Sequence, residues 1–259
     1  MLPPLPEEVE VQQDLGRVLG PNGLPVGTVA HLVLATDGSR WVAKGKPFAS
    51  TRPYEAANEL IAWRLAKALG LPVLEAGLLR YDGHLSFGSR EMQAGTFEHR
   101  LTQQRLLQCS NPAVLPSVVV FDVWLANVDR NVDNLLPRKA HGTSSAWELV
   151  LLDHGSTLVH PLLNIEELSA KAEAPAKLYG MGALHALYGK RADMERAICR
   201  VQDMNANDVE RCVREVPTEL LSHEDKAVVS RFLVERRRLL SLNPPRVRGL
   251  GPWFCPVME

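Results

Sequence analysis

Residues 121–136 read FDVWLANVDRNVDNLL, and residues 151–155 read LLDHG. The first stretch starts as an apolar helical segment and ends in a polar loop, in which Asp129 is followed five residues later by Asn134. The second stretch is the end of a short apolar strand, with Asp153 directly after it and Gly155 two residues further on. The order of the two motifs, each after its own helix or strand, is the most informative feature of the chain.

The oxygen side chains in these motifs suit phosphoryl transfer. That reaction needs one carboxylate to accept the proton of the attacking hydroxyl, and oxygen ligands to hold Mg²⁺ against the phosphates. Asp129 fits the role of the base, while Asn134 and Asp153 fit the role of metal ligands. The spacing therefore predicts an ATP- and Mg²⁺-dependent phosphotransferase that acts on a hydroxyl.

The polar loop has two other interpretations. A calcium loop starting at Asp129 would need glycine at its sixth position and glutamate at its twelfth, but Asn134 and Ala140 stand there. A plain solvated turn is the second alternative, because Asn and Asp favour turns in any case. The presence of both motifs in one chain favours the phosphotransferase.

The rest of the chain divides by its periodicity into a β-rich first part and a helical second part. Turn residues and caps support this division: Asp37-Gly38 and Asp82-Gly83 are tight turns, and Ser222 is a helix cap. We expect a small β-rich lobe at residues 1–95 and a larger helical lobe at residues 96–259. Strands are predicted over residues 28–35, 40–44, 78–81, 84–92 and 147–152, and helices over residues 54–69, 116–126, 194–203, 208–215 and 223–240.

Composition limits the partners. The chain of 259 residues has 29 basic and 30 acidic side chains, which argues against direct nucleic-acid binding by bulk charge. No apolar stretch approaches the roughly 20 residues needed to cross a bilayer, so no membrane span is expected. The four cysteines are scattered and the first residues do not form a signal peptide, which predicts a cytoplasmic protein.

The two motifs also resemble a known family. NxDRxxxN at residues 127–134 and LDHG at residues 152–155 are similar to the catalytic and metal-binding motifs of the HipA-like kinases, and more distantly of the phosphatidylinositol kinases. Residues 58–72 and 87–89 resemble the HipA-related branch as well. The resemblance implies an α+β, two-lobed protein-kinase-like fold that binds ATP and Mg²⁺ between its lobes, with protein Ser/Thr hydroxyls as the acceptor.

Further site residues follow from this resemblance together with strand geometry. Lys44 matches the strand lysine that holds the ATP phosphates, and the period of two in residues 40–44 places it on the same face as Val42. Lys46 is the competing candidate. Glu59 is the natural partner for Lys44, although it lies roughly opposite the apolar stripe of its helix, where a solvated glutamate is the alternative.

The nucleotide contacts are less defined by the sequence. Adenine is expected against the connection between the lobes, near Glu91 and Met92. Glycines at positions 20, 23 and 27 do not spell GxGxxG, so the phosphate-covering loop is not identified. His154, which replaces the phenylalanine of the familiar DFG triplet, is expected to be a packed residue and not a catalyst.

Two other functions remain open at this point. One is a nonenzymatic nucleotide-binding regulator (a pseudokinase), which the missing glycine motif favours and the intact set Asp129, Asn134 and Asp153 opposes. The other is a kinase for a small-molecule or lipid-headgroup hydroxyl, because a fold does not fix the substrate.

Overall fold

The computed structural model describes residues 1–18, 30–48, 52–93, 95–98, 101–106, 108–130, 133–139, 146–160, 164–168 and 191–240. The glycines at positions 20, 23 and 27 and the strand start at residue 28 lie outside these ranges, as does the C-terminal tail from residue 241. The fold is a mixture of α and β elements. The strands are β1 (Glu8–Arg17), β2 (His31–Ala35), β3 (Arg40–Lys44), β4 (Ala76–Tyr81), β5 (His84–Arg90), β6 (Leu135–Lys139) and β7 (Trp147–Leu151), and the helices are α1 (Glu55–Ala68), α2 (Gln103–Leu106), α3 (Leu115–Trp124), α4 (Ile165–Leu168), α5 (Arg191–Gln202), α6 (Ala206–Arg214) and α7 (His223–Leu239).

Five strands close into a barrel in the order β1-β2-β3-β5-β4. In β3 the side chains alternate as the sequence predicted: Trp41 and Ala43 face the buried interior, whereas Val42 and Lys44 lie on the other, partly exposed face. The hairpin between β4 and β5 turns at Asp82-Gly83, where both residues have positive φ. The predicted strands and hairpin of this region are therefore present, with ends shifted by a few residues.

The barrel is closed by β1, a strand that the sequence patterns did not predict. It pairs with β4 in parallel, with Glu8 opposite Leu78 and Glu10 opposite Arg80, and with β2 in the antiparallel direction. None of its side chains is fully buried, and the apolar alternation of Val9 and Val11 with glutamates stops at Gln12, so the strand signal is short. A second strand that the sequence did not predict, β6, begins directly after the polar loop and pairs with β7.

Helix α1 is buried on every side from Glu55 to Ala66, which corrects the expectation of a single buried stripe. The reason is that α1 contacts both the barrel and α6. Arg64 donates hydrogen bonds to the carbonyl oxygens of Pro3 (3.0 Å) and Cys212 (3.1 Å), and Trp63 donates one to Leu74 (2.8 Å). The helix is thereby fixed at both its flanks, and Glu59 is buried instead of solvated.

Helix α3 is almost completely buried and mostly apolar. Helices α5 and α7 pack against it, while α6 packs on α7 and α1. Helices α5, α6 and α7 lie close to the predicted positions. At the start of α7 the Ser222 hydroxyl accepts a hydrogen bond from the Asp225 backbone N–H at 3.1 Å, so the predicted cap is confirmed. Within the described ranges, no helix combines the length and the apolar character that a membrane crossing requires.

Candidate active site

A buried ion pair fixes the loop that follows α3. Asp122, in the last turn of α3, and Arg130 both have side chains with no exposed surface. The Arg130 guanidinium donates to the two carboxylate oxygens of Asp122 at 2.9 and 3.1 Å. Burial lowers the pKa of Arg130, but the charge and hydrogen bonds of Asp122, together with the charges of Asp153 and Glu59, raise it above its ordinary value, so the guanidinium stays charged.

The same guanidinium joins the two sequence motifs. Its remaining terminal nitrogen donates to the backbone carbonyl oxygens of Asn134 and Leu152, each at 2.6 Å. The Leu152 N–H in turn donates to the Asn134 carbonyl oxygen at 3.1 Å. The two motifs alone do not reveal this role of Asp122 and Arg130, although a lone carboxylate inside the apolar run VVVFDVWLA is a signal that points to it.

Asn127 shapes the start of the loop. Its amide nitrogen donates to Asp122 at 2.7 Å, and its amide oxygen accepts from the Asp129 backbone N–H at 3.0 Å. Asn134 closes the loop, since its side-chain nitrogen donates to the Asp129 carbonyl oxygen at 2.8 Å. The Asp129 side chain lies at the exposed surface of this closed loop.

Asp153 is held next to this loop because it directly follows Leu152. Its backbone lies in the left-handed region, with φ of 53°. Aspartate tolerates this conformation better than most residues, and such sparsely populated conformations are concentrated at functional sites. The Asp153 side chain is 37% exposed, so a ligand can reach it.

Lys44 bridges two carboxylates across the site. Its Nζ lies 2.6 Å from Glu59 Oε1 and 2.6 Å from Asp153 Oδ1. Burial lowers the pKa of Lys44, but the charges of Asp153, Glu59 and Glu55 raise it above its ordinary value. The structure therefore pairs Lys44 with Glu59, the partner proposed from the sequence, whereas Lys46 is exposed.

Glu59 is also close to His154. The Nδ1 atom of this histidine lies 3.7 Å from Glu59 Oε2, and its ring packs edge-on against Phe121. Burial raises the pKa of Glu59, but the opposing effects of Lys44 and His154 are together larger. The pKa of Glu59 therefore lies below its ordinary range. His154 is buried and packed, as expected from the sequence.

A third glutamate, Glu55, belongs to the same cluster and was missed by sequence analysis. It is buried, and burial together with the negative charges of Glu59 and Asp153 outweighs the effect of Lys44 and raises its pKa to about 7. It packs so closely on Gly155 that a Cβ at that position would lie 2.8 Å from the Glu55 side chain. The turn after Asp153 therefore requires a residue without a side chain.

The donor set fits Mg²⁺ held jointly with a nucleotide. Within the described ranges, no group of three or more His, Cys, Asp or Glu side chains is placed to hold a metal ion by itself. Asp153 offers a carboxylate, and Asn134 offers an amide oxygen because its nitrogen is engaged with Asp129. Mg²⁺ in phosphate-binding sites takes one or two protein oxygens and completes its octahedron with phosphates and water.

The two residues expected near adenine lie in the connection after β5. The Glu91 backbone N–H donates to the Arg40 carbonyl oxygen at 3.1 Å, and its carboxylate pairs with the Arg40 side chain at 2.8 Å. Met92 is half-buried in the same connection. The hydrogen bonds and ion pairs of the described residues do not link either side chain to the cluster around Lys44, so an adenine contact by these residues stays a prediction.

Comparison with solved structures places the chain among proteins of mixed α/β, kinase-like fold. One similar structure is the Helicobacter pylori proinflammatory kinase CtkA, at a TM-score of 0.63 and 16% identity, covering 90% of this chain and 94% of CtkA. Another is HipA of Shewanella oneidensis in a complex with HipB and operator DNA, at a TM-score of 0.43 and 13% identity, covering 77% of this chain and 57% of HipA.

The predicted resemblance is confirmed at the level of the fold, in which this chain is similar to the kinase CtkA. No family model matches the chain, and no curated protein matches its sequence. The likeness therefore concerns the fold, and function has to be argued from the residues of the site.

Proposed function

We propose that the protein is an ATP- and Mg²⁺-dependent phosphotransferase that passes the γ-phosphate to a hydroxyl, with protein serine or threonine as the acceptor. The observation that carries this proposal is the position of Lys44 Nζ, 2.6 Å from both Glu59 and Asp153. Kinases use this combination of a strand lysine, a helix glutamate and an aspartate that binds the metal. Here these three residues come from β3, α1 and the turn that follows β7.

Each residue of the site has a proposed role. Lys44 contacts the phosphates, and Glu59 holds the lysine in place. Asn134 and Asp153 would hold Mg²⁺, which when bound neutralises charge on the phosphates. Asp129 accepts the proton of the attacking hydroxyl.

The location of Asp129 supports a protein acceptor. Its carboxylate is exposed, so a hydroxyl on a macromolecular surface can approach it without entering a deep pocket. The barrel with α1 would form the smaller lobe (residues 1–95) and the remaining residues the larger one (96–259), with ATP between them. The balanced charge of the chain supports ATP and this acceptor as partners, in preference to nucleic acid, and the scattered cysteines support a cytoplasmic location.

The experiment that tests the proposal measures thermal unfolding with ATP and Mg²⁺, with ATP and EDTA, and without nucleotide. A ligand present at 100 times its Kd stabilises a protein by about 2.7 kcal/mol, which corresponds to about 5 °C or more in a domain of this size. We expect this rise with Mg²⁺ and ATP together. An unchanged melting temperature at millimolar Mg²⁺ and ATP would contradict any nucleotide-binding function.

A second measurement separates an enzyme from a nonenzymatic regulator. The wild-type protein should transfer radiolabelled phosphate from ATP to a mixture of protein substrates or to itself, and Asp129→Asn should not. Stabilisation by Mg²⁺ and ATP without any transfer would favour the regulator. Transfer to inositol or another small alcohol, but not to protein, would favour the small-molecule kinase.

A further inference from the structure

Helix α1 does more than carry the partner of Lys44, because one of its residues binds the turn that follows Asp153. The side chain of Asn58 is buried, with 2% exposure. Its amide nitrogen donates to the carbonyl oxygen of Gly155 at 2.9 Å and to that of Val159 at 2.7 Å. Both N–H groups of the amide are therefore used on one short loop.

The loop of residues 153–159 is held from two sides. On the side of the candidate catalytic loop, the Leu158 N–H donates to the Leu125 carbonyl oxygen at 2.8 Å. On the other side, Asn58 binds the loop at both its ends. Within the loop, the Thr157 hydroxyl donates to the His154 carbonyl oxygen at 2.7 Å. The bonds from Asn58 thus connect α1 directly to the backbone of the segment that starts at Asp153.

Helix α1 can hold this loop in place because the helix itself is anchored by contacts with other parts of the chain. Arg64 binds the carbonyl oxygens of Pro3 and Cys212, and Trp63 binds that of Leu74. At the start of the helix, the Tyr54 hydroxyl donates to Asp225 at 3.3 Å. A loop tied to this helix takes its position from the rest of the molecule.

We propose that Asn58 is a positioning residue that sets the place of the Asp153 carboxylate for metal binding. The inference rests on the proposed function, since it assigns to Asp153 the role of a Mg²⁺ ligand. Asn58 and Glu59 are consecutive, so one turn of α1 fixes both Lys44 and the loop of Asp153. Loss of a residue that orients a metal ligand typically lowers metal affinity by about 10- to 100-fold.

Few residue types can replace Asn58. An ionised aspartate of the same shape has no donor for the two carbonyl oxygens, and a leucine would leave both oxygens buried without partners. Alanine removes the two donors and frees space for water. Asn58→Ala is therefore the test variant, and Asn58→Ser, which keeps one donor, is the milder second variant if the first does not fold.

The matched control is Trp63→Phe. It removes a buried hydrogen bond from the same helix to a backbone carbonyl, but the lost bond goes to Leu74 and not to the loop of Asp153. Any effect of general helix loosening should be shared by both variants. An effect on Asp153 should be confined to Asn58.

The first measurement is amide hydrogen exchange of peptides covering residues 153–160 in the absence of nucleotide. Asn58→Ala should raise exchange in this segment by at least about tenfold, because the loop opens more easily, while Trp63→Phe should leave it unchanged. Equal exchange in wild type and Asn58→Ala would overturn the proposal. This comparison needs no catalytic activity, so it decides the matter of Asn58 even if the proposed function is wrong.

The second measurement is a Mg²⁺ titration at saturating ATP, followed by phosphate transfer and in parallel by thermal stabilisation. Asn58→Ala should need at least about tenfold more Mg²⁺ for the half-maximal effect, with a KM for ATP at saturating Mg²⁺ that changes by less than about threefold. The same Mg²⁺ midpoint in Asn58→Ala and Trp63→Phe would refute a positioning role. A wild-type protein with neither transfer nor stabilisation would instead refute the proposed function itself.

Discussion

Replacing Arg130 with methionine should destabilise the protein more than replacing any exposed arginine. The guanidinium has no exposed surface and makes hydrogen bonds to Asp122, to the Asn134 carbonyl oxygen and to the Leu152 carbonyl oxygen. Without the guanidinium, Asn127 is the one side chain among the described residues that still donates a hydrogen bond to the buried Asp122 carboxylate. The loss is therefore that of a buried ion pair from which one partner is removed.

Breaking such a pair typically costs about 3–5 kcal/mol of unfolding free energy, because the remaining charge is left buried. Adding Asp122→Asn to Arg130→Met removes that charge and keeps an oxygen that can accept from Asn127. We expect the double variant to be more stable than Arg130→Met alone by at least about 1 kcal/mol. A gain in stability when Asp122→Asn is added is the result that an uncompensated buried charge predicts.

The assay is urea unfolding followed by tryptophan fluorescence, which Trp124 reports from the buried end of α3. The control is Arg40→Met, because the side chain of Arg40 is 49% exposed in its pair with Glu91 and should contribute only about 0–1 kcal/mol. A loss below about 1 kcal/mol in Arg130→Met would refute the reasoning. So would a further loss on adding Asp122→Asn.

Three further predictions concern the charged groups of the site. Asp129→Asn should lower the single-turnover rate by about 10²–10⁴ with ATP affinity retained, whereas Asp153→Asn should lower both; equal loss of affinity in a nucleotide titration would contradict these roles. Lys44→Met should weaken ATP binding in the same titration, and Lys46→Met, at an exposed residue, should not. The pKa of Glu55 is raised to about 7, so between pH 4.5 and 7 the folded protein keeps a proton that the unfolded chain releases. The free energy of unfolding should therefore fall as the pH rises through this range, by up to about 1.4 kcal/mol per pH unit. Glu55→Gln should flatten that slope in urea unfolding at several pH values, and an equal slope in both proteins would contradict the assignment.

Local sequence patterns were sufficient for β3, the hairpin of β4 and β5, and the helices α3 and α7. In β3 a period of two separated Trp41 and Ala43 from Lys44, because a strand has only two faces. In α7 the hydroxyl of Ser222 has a partner three residues away, so its cap depends on neighbours in the chain. The motifs around Asp129 and Asp153 could be recognised because their residue types and order are themselves the signal.

Other features were decided by the tertiary structure. Strand β1 is half-exposed along its length, and only its pairing with β4 and β2 makes it part of the barrel. The sequence pattern put Glu59 opposite the apolar stripe of α1, where a solvated side chain is the alternative, yet Glu59 is buried. Periodicity reveals a single packed face, whereas α1 is packed on every face. A helix with partners on every side loses the amphipathic pattern from which burial is inferred.

The sequence by itself determined which residue types form the candidate site: a lysine on a strand, an asparagine and an aspartate with oxygen-bearing side chains, and a loop aspartate, in a fixed order. Only the tertiary structure brought Lys44 within 2.6 Å of Asp153, tied the loop of Asp153 to Asn58, and buried Arg130 against Asp122. The physical reason is that these contacts join residues from different elements, many of them far apart in the chain. Hydrogen bonds and burial between such residues depend on packing, and local residue order does not encode packing directly.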